Sequence, residues 1–259
     1  MHATATSETM DASEFPMPPC AAAPPSVSKI VRALCGPWML YKRSILRPRQ
    51  SRAVFERVLG RDFVVWPGVL NPVTFRAGRY LAEFIARSPH LNFAQTGRRP
   101  TALDLGTGCG IQAIFAALRG YDATAVDIEP GAVSCARANA ILNGVEHRVR
   151  VFQGDLFAPV NGQSFDLVVF NLPFFRGIAT TPLERAWRSP DILERCAFGL
   201  PSVLKNDGRA YFVLSNHGDP AGLLSALSRA GFSVERVTWR HFGVETMAIY
   251  SARFASRDV

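Results

Sequence analysis

A chain of 259 residues that is 48% hydrophobic can bury a full core, which excludes a small scaffold stapled by disulfides. Its five cysteines, Cys20, Cys35, Cys109, Cys135 and Cys196, form no CxxC pair, so neither a disulfide framework nor a zinc site is expected, and a reducing, cytoplasmic setting fits. The formal net charge of +8 draws anionic partners without naming one. No run reaches the roughly 18 apolar residues of a membrane span.

In chain order, residues 1–26 are rich in Ala, Pro, Ser and Thr, lack the basic start and apolar core of a secretory leader, and read as a disordered tail. Residues 27–98 read as an N-terminal helical segment. Apolar residues at helical spacing, first Ile30, Val31 and Leu34, then Val54, Phe55, Val58 and Leu59, predict two short helices ending near Gly60. The stretch DFVVWPGVLNP predicts a strand and turn, and residues 74–88 a helix with Ala77, Leu81, Phe84 and Ile85 on one face. A polar linker is expected over residues 92–100.

From residue 99 to 259, short apolar strands alternate with helices. Strands are expected at 101–105, 122–126, 149–152, 167–170 and 210–214, and helices at 111–118, 131–143, 191–204 and 220–230. Such alternation predicts an α/β fold with a parallel sheet covered on both faces. The last two runs, SVERVTWRHF and VETMAIYSARF, lie too close for a crossover helix and should form an antiparallel hairpin at the sheet edge. The expected fold is therefore a Rossmann-like, doubly wound, seven-stranded sheet with an antiparallel finish.

Two motifs carry the chemistry. In Asp104-Leu105-Gly106-Thr107-Gly108-Cys109-Gly110 a strand turns sharply into a helix while its backbone comes close to a ligand. The spacing is G-x-G-x-G, not the dinucleotide G-x-G-x-x-G, and Asp127 ends the next strand, where a carboxylate can accept both hydroxyls of a ribose. The fourth strand ends in Asn171-Leu172-Pro173-Phe174. An amide oxygen of Asn171 and the carbonyl of Leu172 offer two acceptors for a planar NH2 group, Pro173 fixes the turn, and Phe174 offers a flat stacking face.

The glycine turn followed by Asp127 resembles the class I S-adenosylmethionine-dependent methyltransferases. Asn-Leu-Pro-Phe resembles the N/D-P-P-Y/F motif of amino-methyltransferases, closest to the release-factor glutamine methyltransferases and their small-domain RNA guanine relatives. The segments Ala132-Val133 through Asn139-Ala140, Pro72-Val73-Thr74-Phe75 and Gly243-Val244-Glu245-Thr246 resemble that group as well, over roughly residues 64–254. The resemblance implies S-adenosylmethionine as cofactor, held by Thr74, Asp104, Gly106, Thr107, Gly108, Gly110, Asp127, Ile128, Asp155, Leu156 and Asn171. It implies methyl transfer to an amide or amine nitrogen positioned by Asn171, Leu172, Pro173 and Phe174, with no metal. Leu172 departs from the family's proline, but a backbone carbonyl is the group used there.

The short N-terminal segment leads to the expectation of a small-metabolite acceptor. An RNA or protein acceptor is the alternative, as is an enzyme that cyclises or cleaves S-adenosylmethionine itself and releases methylthioadenosine. The basic run with Lys42, Arg43, Arg47, Arg49 and Arg52 offers a grip on phosphates or a solvated face. His217 reads as a surface-turn residue and Cys109 as unreactive, with no histidine paired to it.

Overall fold

A computed structural model describes residues 52–91, 97–173, 175–243 and 245–255. The tail, the first predicted helix and all of the basic run except Arg52 lie outside the described residues.

The second predicted N-terminal helix is instead a β-hairpin, β1 (Val54–Val58) and β2 (Arg61–Val65), paired antiparallel with Val58 opposite Arg61. The two residues between them, Leu59 and Gly60, both have positive φ, 50° and 76°, as a two-residue type I′ turn requires. Val54, Phe55 and Val58 fit a helical face as well as a strand, and the turn decides between them: the Leu-Gly pair reverses the chain and lets Phe63 and Val65 bury on one side. The strand and turn expected from DFVVWPGVLNP are present.

Helix α1 (Ala77–Arg87) buries Ala77, Leu81, Phe84 and Ile85 as predicted but starts three residues later than the spacing indicated. Asn71 Oδ1 accepts from the amides of Val73 and Thr74 at 2.9 and 3.1 Å, and Arg76 sits at φ 45°, so the chain is held in turns until Ala77.

The rest alternates: β3 (Thr101–Leu105), α2 (Ile111–Leu118), β4 (Asp122–Asp127), α3 (Pro130–Leu142), β5 (Val149–Gln153), β6 (Phe165–Phe170), a one-turn α4 (Pro182–Arg185), α5 (Ile192–Gly199), β7 (Leu204–Ser215), α6 (Pro220–Arg229), β8 (Phe232–Phe242) and β9 (Glu245–Phe254). The predicted helix over 191–204 breaks at Gly199 into a 3-10 turn, Leu200–Ser202, because Pro201 has no amide to continue the ladder. Leu204 already belongs to β7.

The seven strands run β5-β4-β3-β6-β7-β9-β8; the first five are mutually parallel, and β9 runs antiparallel to both its neighbours, β7 and β8. Two apolar cores lie on the two faces, one including Leu81, Ile114 and Ala136, the other Leu193, Leu200 and Leu223. Strand order reverses between β3 and β6, so their carboxyl ends flank a crevice. The glycine turn leaves β3 there and Asn171 leaves β6. Among the described residues no helix is long and apolar enough to cross a membrane.

Candidate functional site

The glycine turn is fixed to the neighbouring strand by the amides of Gly106 and Thr107, which both donate to the Val126 carbonyl at 2.9 and 3.1 Å. Gly106, Gly108 and Gly110 all have positive φ, the region that favours glycine. A Cβ at Gly110 would lie 3.0 Å from Ala136 Cα, so α2 and α3 approach there to backbone contact. At Gly108 nothing stands closer than 4.0 Å, and its bare backbone faces the open crevice.

Two carboxylates hold this turn from opposite sides. Asp104 is 2% exposed, and its Oδ2 accepts from Thr107 Oγ1 at 2.6 Å and from the Ala113 amide at 3.1 Å, capping the start of α2. Asp127 accepts from the Gly108 amide at 2.8 Å with one oxygen and from the Glu129 amide at 3.0 Å with the other. Burial raises both acids above the ordinary carboxylate value, and for Asp104 the rise is to about 7.

The raised Asp104 value has a definite sign. At Asp104 the folded protein binds a proton more tightly than the unfolded chain, so this group's contribution to stability is full below the ordinary value of 3.8 and is lost as pH rises through about 7. The slope for one proton is at most about 1.4 kcal/mol per pH unit. Asp104→Asn keeps an acceptor oxygen for Thr107 and Ala113 without the buried charge, so its stability loss between pH 4 and 7 in thermal melts should be shallower than that of the parent. An unchanged slope would remove Asp104 as its source.

A third side chain, unforeseen in this role, joins the turn to the hairpin. Asn139 is fully buried, donates to the carbonyls of Val64 and Cys109 at 2.7 and 2.8 Å, and accepts from the Val64 amide at 2.7 Å. It thus pairs with β2 as a strand neighbour would and ties it to the turn. Its presence in an A-V-x-x-A-x-x-N-A helix was visible in the sequence; its partners, 30 and 75 residues away, were not.

Between these parts lies a cavity of about 360 Å³. Of the residues singled out from the sequence, Gly106, Thr107, Gly108, Asp127, Ile128, Asp155, Leu156, Asn171 and Leu172 line it. Thr74, Asp104, Gly110 and Pro173 do not line it, for local reasons in three cases: Thr74 is drawn into the turn around Asn71, Asp104 points under α2, and Gly110 packs on α3. Phe174 lies outside the described residues. Asp155 faces the cavity but also pairs with Arg195. His217 is not in the wall, and burial raises the Cys109 thiol far above its ordinary value, so it stays protonated. No three His, Cys, Asp or Glu side chains converge on a metal position among the described residues.

Asn171 stands on a rigid base. Phe170 stacks on Phe212 with centroids 4.8 Å apart and planes 3° apart, and Phe212 stacks on Tyr250 at 5.6 Å. The side-chain oxygen of Asn171 is buried without a hydrogen-bond partner. A buried acceptor left unpaired costs about 1–3 kcal/mol, which an incoming N–H donor would recover.

The segment after this motif folds back over the cavity. Phe175 and Arg188 form a bridge, with the Phe175 amide donating to the Trp187 carbonyl at 3.1 Å. Trp187 meets Phe75 edge to face at 4.7 Å, and Arg185 pairs with Glu129 at 2.5 Å across the mouth. Arg176 anchors the segment by donating to both oxygens of Glu194 and to Asp219. None of these arginine contacts has a sequence signal, since each joins residues 18 or more positions apart.

Fold and glycine turn together have the architecture of a Rossmann-like methyltransferase domain. The chain belongs to the methyltransferase small domain family, whose model matches residues 89–234. It is 34% identical over 148 residues to the release factor glutamine methyltransferase of Geobacter sulfurreducens, covering 56% of this chain and 47% of that protein. It is 30% identical over 156 residues to ribosomal RNA small subunit methyltransferase C of Alcanivorax borkumensis, covering 60% and 43%. The chain thus spans about half the length of these curated relatives. In fold it is similar to the Thermus thermophilus 16S rRNA N2 G1207 methyltransferase, solved with AdoMet and guanosine, with TM-score 0.57 at 18% identity over 79% of this chain and 50% of that one.

The cavity fits the cofactor. The bare backbone at Gly108, the carboxylate of Asp127 beside it and the apolar surfaces of Ile128 and Leu156 supply a close approach, a hydroxyl acceptor and a greasy cleft along one wall.

Proposed function

We propose that this protein methylates an amide or amine nitrogen of a macromolecule, RNA or protein, at the carboxyl end of β6. The observation that carries the reading is Asn171, which lines the cavity and whose side-chain oxygen is buried without a hydrogen-bond partner. A macromolecular acceptor replaces the small-metabolite expectation: the relatives above are named for methylating release-factor glutamine and ribosomal RNA, and no small metabolite figures in their names. Acceptors of both kinds are met in the cytoplasm.

Bound S-adenosylmethionine supplies an electrophilic methyl group with a thioether leaving group. The protein's share is placement. Asn171 Oδ1 accepts one hydrogen of the acceptor NH2 and the Leu172 carbonyl accepts the other, which turns the nitrogen lone pair toward the cofactor side of the cavity. Pro173 holds that carbonyl in register. Asp127 takes the ribose hydroxyls with the lone pairs left by the amides of Gly108 and Glu129. Ile128, Leu156 and Asp155 receive the adenine, and Gly106, Thr107 and Gly108 give backbone to the remainder.

Two measurements bear on these roles. Asp127→Ala should weaken S-adenosylhomocysteine binding by calorimetry about 10–100-fold, the worth of hydrogen bonds to a charged group, with a smaller change in melting temperature. Unchanged affinity would remove Asp127 from the cofactor site. The reading as a whole is tested by incubation with S-adenosylmethionine and cell extract: methyl label should enter nitrogen atoms of RNA or protein, and label confined to the small-molecule fraction would refute it.

A further inference from the structure

We propose that the face built by the start of α1 and the β8–β9 hairpin holds the phosphate backbone of an RNA acceptor beside the cavity mouth. The inference rests on the macromolecular N-methyltransferase reading above and names which macromolecule is held.

The face starts one residue from the cavity. Phe75 lines the wall, and the next residue, Arg76, is exposed with its guanidinium 5.5 Å from the centre of the Phe242 ring. Arg240, on β8, lies 5.0 Å over Tyr80 and 6.0 Å from Phe242, while Tyr80 and Phe242 meet edge to face at 5.9 Å. Arg79 completes the set: it shares Glu83 with Arg240, at 2.8 and 3.1 Å. Two of the three guanidinium groups therefore share a single carboxylate, and Arg76 has no acidic partner among the described residues.

The chemistry of these groups favours phosphate. A guanidinium attracted to an aromatic ring still has N–H donors to offer, and its fork matches the oxygens of a phosphate. The ring contacts of Arg76 and Arg240 limit the positions of these two side chains, so less side-chain freedom is lost on contact. Arg76 occupies the turn that leads into α1, at the rim of the cavity. A polyanion laid across Arg76 and Arg240 brings its neighbouring nucleotide to Phe75 and the Asn171 wall, and the chain's net charge of +8 adds attraction at longer range. A neutral polypeptide loop offers carbonyl acceptors but no negative charge to match these guanidinium groups.

The test is fluorescence anisotropy of a short fluorescein-labelled single-stranded RNA against salt, for the parent, the double variant Arg76→Gln/Arg240→Gln, and Arg150→Gln on β5 at the opposite edge of the sheet. Melting temperature and S-adenosylhomocysteine affinity establish that each variant is folded. The double variant should lose about 1.4 from the slope of log K against log salt, roughly 0.7 for each phosphate contact, and Arg150→Gln should keep the parent slope. Equal slopes for the parent and the double variant would overturn the proposal, as would displacement of the RNA by poly-glutamate at lower charge concentration than by unlabelled RNA. The two readings fail separately. Methyl label entering extract protein with unchanged RNA slopes removes this surface and leaves the N-methyltransferase reading intact. A lowered slope with no nitrogen methylated removes that reading and leaves the RNA-binding face.

Discussion

Asn171→Ala is expected to lower kcat by about 10²–10³-fold while S-adenosylhomocysteine binds within a few-fold of the parent, because the lost contact is made to the acceptor nitrogen and not to the cofactor. The structure makes this a clean substitution. Removing the side chain deletes a buried oxygen that has no partner, so stability should hold or rise slightly. Its backbone stays in place because the preceding residue is locked in the Phe170–Phe212–Tyr250 stack. Stopped-flow or single-turnover rates separate the chemical step from binding. Equal losses in turnover and cofactor affinity would make Asn171 a cofactor ligand, and wild-type turnover would take it out of the site altogether.

The second large effect is on the turn itself. Gly110→Val forces a β-branched residue into φ 85° and drives its Cβ to 3.0 Å from the backbone of α3 at Ala136, which cannot swing aside as a side-chain tip would. The left-handed conformation costs about 1–2 kcal/mol and the forced contact about 1–3 kcal/mol. A loss of about 2–5 kcal/mol corresponds to a fall in melting temperature of roughly 5–15 °C for a chain of this size. Cofactor affinity should fall with it, since Gly108 and the Cys109 carbonyl held by Asn139 belong to the same turn. Gly131→Ala, where a Cβ meets nothing within 4 Å, is the stability control and should melt close to the parent. A Gly110→Val protein as stable as that control would show that α2 and α3 can separate without cost.

The sheet was legible because each of its signals is local. The run Thr101–Leu105 and the helix Ile111–Leu118 were placed to the residue, since a buried parallel strand followed by glycines and an apolar helix has few other readings. The first strand of the hairpin, Val54–Val58, was misread because VFERVL satisfies a helical face, and the two-residue reversal at Leu59-Gly60 carries only one glycine to mark it. What decides that case is tertiary: Asn139, 75 residues downstream, pairs with both backbone groups of Val64 and so completes a strand edge. The late start of α1 has the same character, since Asn71 and the strained Arg76 hold a turn that helical spacing alone cannot foresee. In the site, the nine lining residues named from the sequence were reached through motif positions, while others, such as Val69, Gln112 and Ile192, had no motif to mark them. The arginines that fasten its cover, Arg176 and Arg185, were missed because their partners Glu194, Asp219 and Glu129 come from other elements.

The most direct test of the central claim is mass spectrometry of the products when the purified protein is given S-adenosylmethionine alone and then with cell extract. The account predicts no product from the cofactor alone, then S-adenosylhomocysteine in step with one methyl mass gained on a nitrogen of RNA or protein, formed about 10²–10³-fold more slowly by Asn171→Ala. Methylthioadenosine released without extract would contradict it, because the cofactor would then be the substrate and Asn171 would have no acceptor nitrogen to orient.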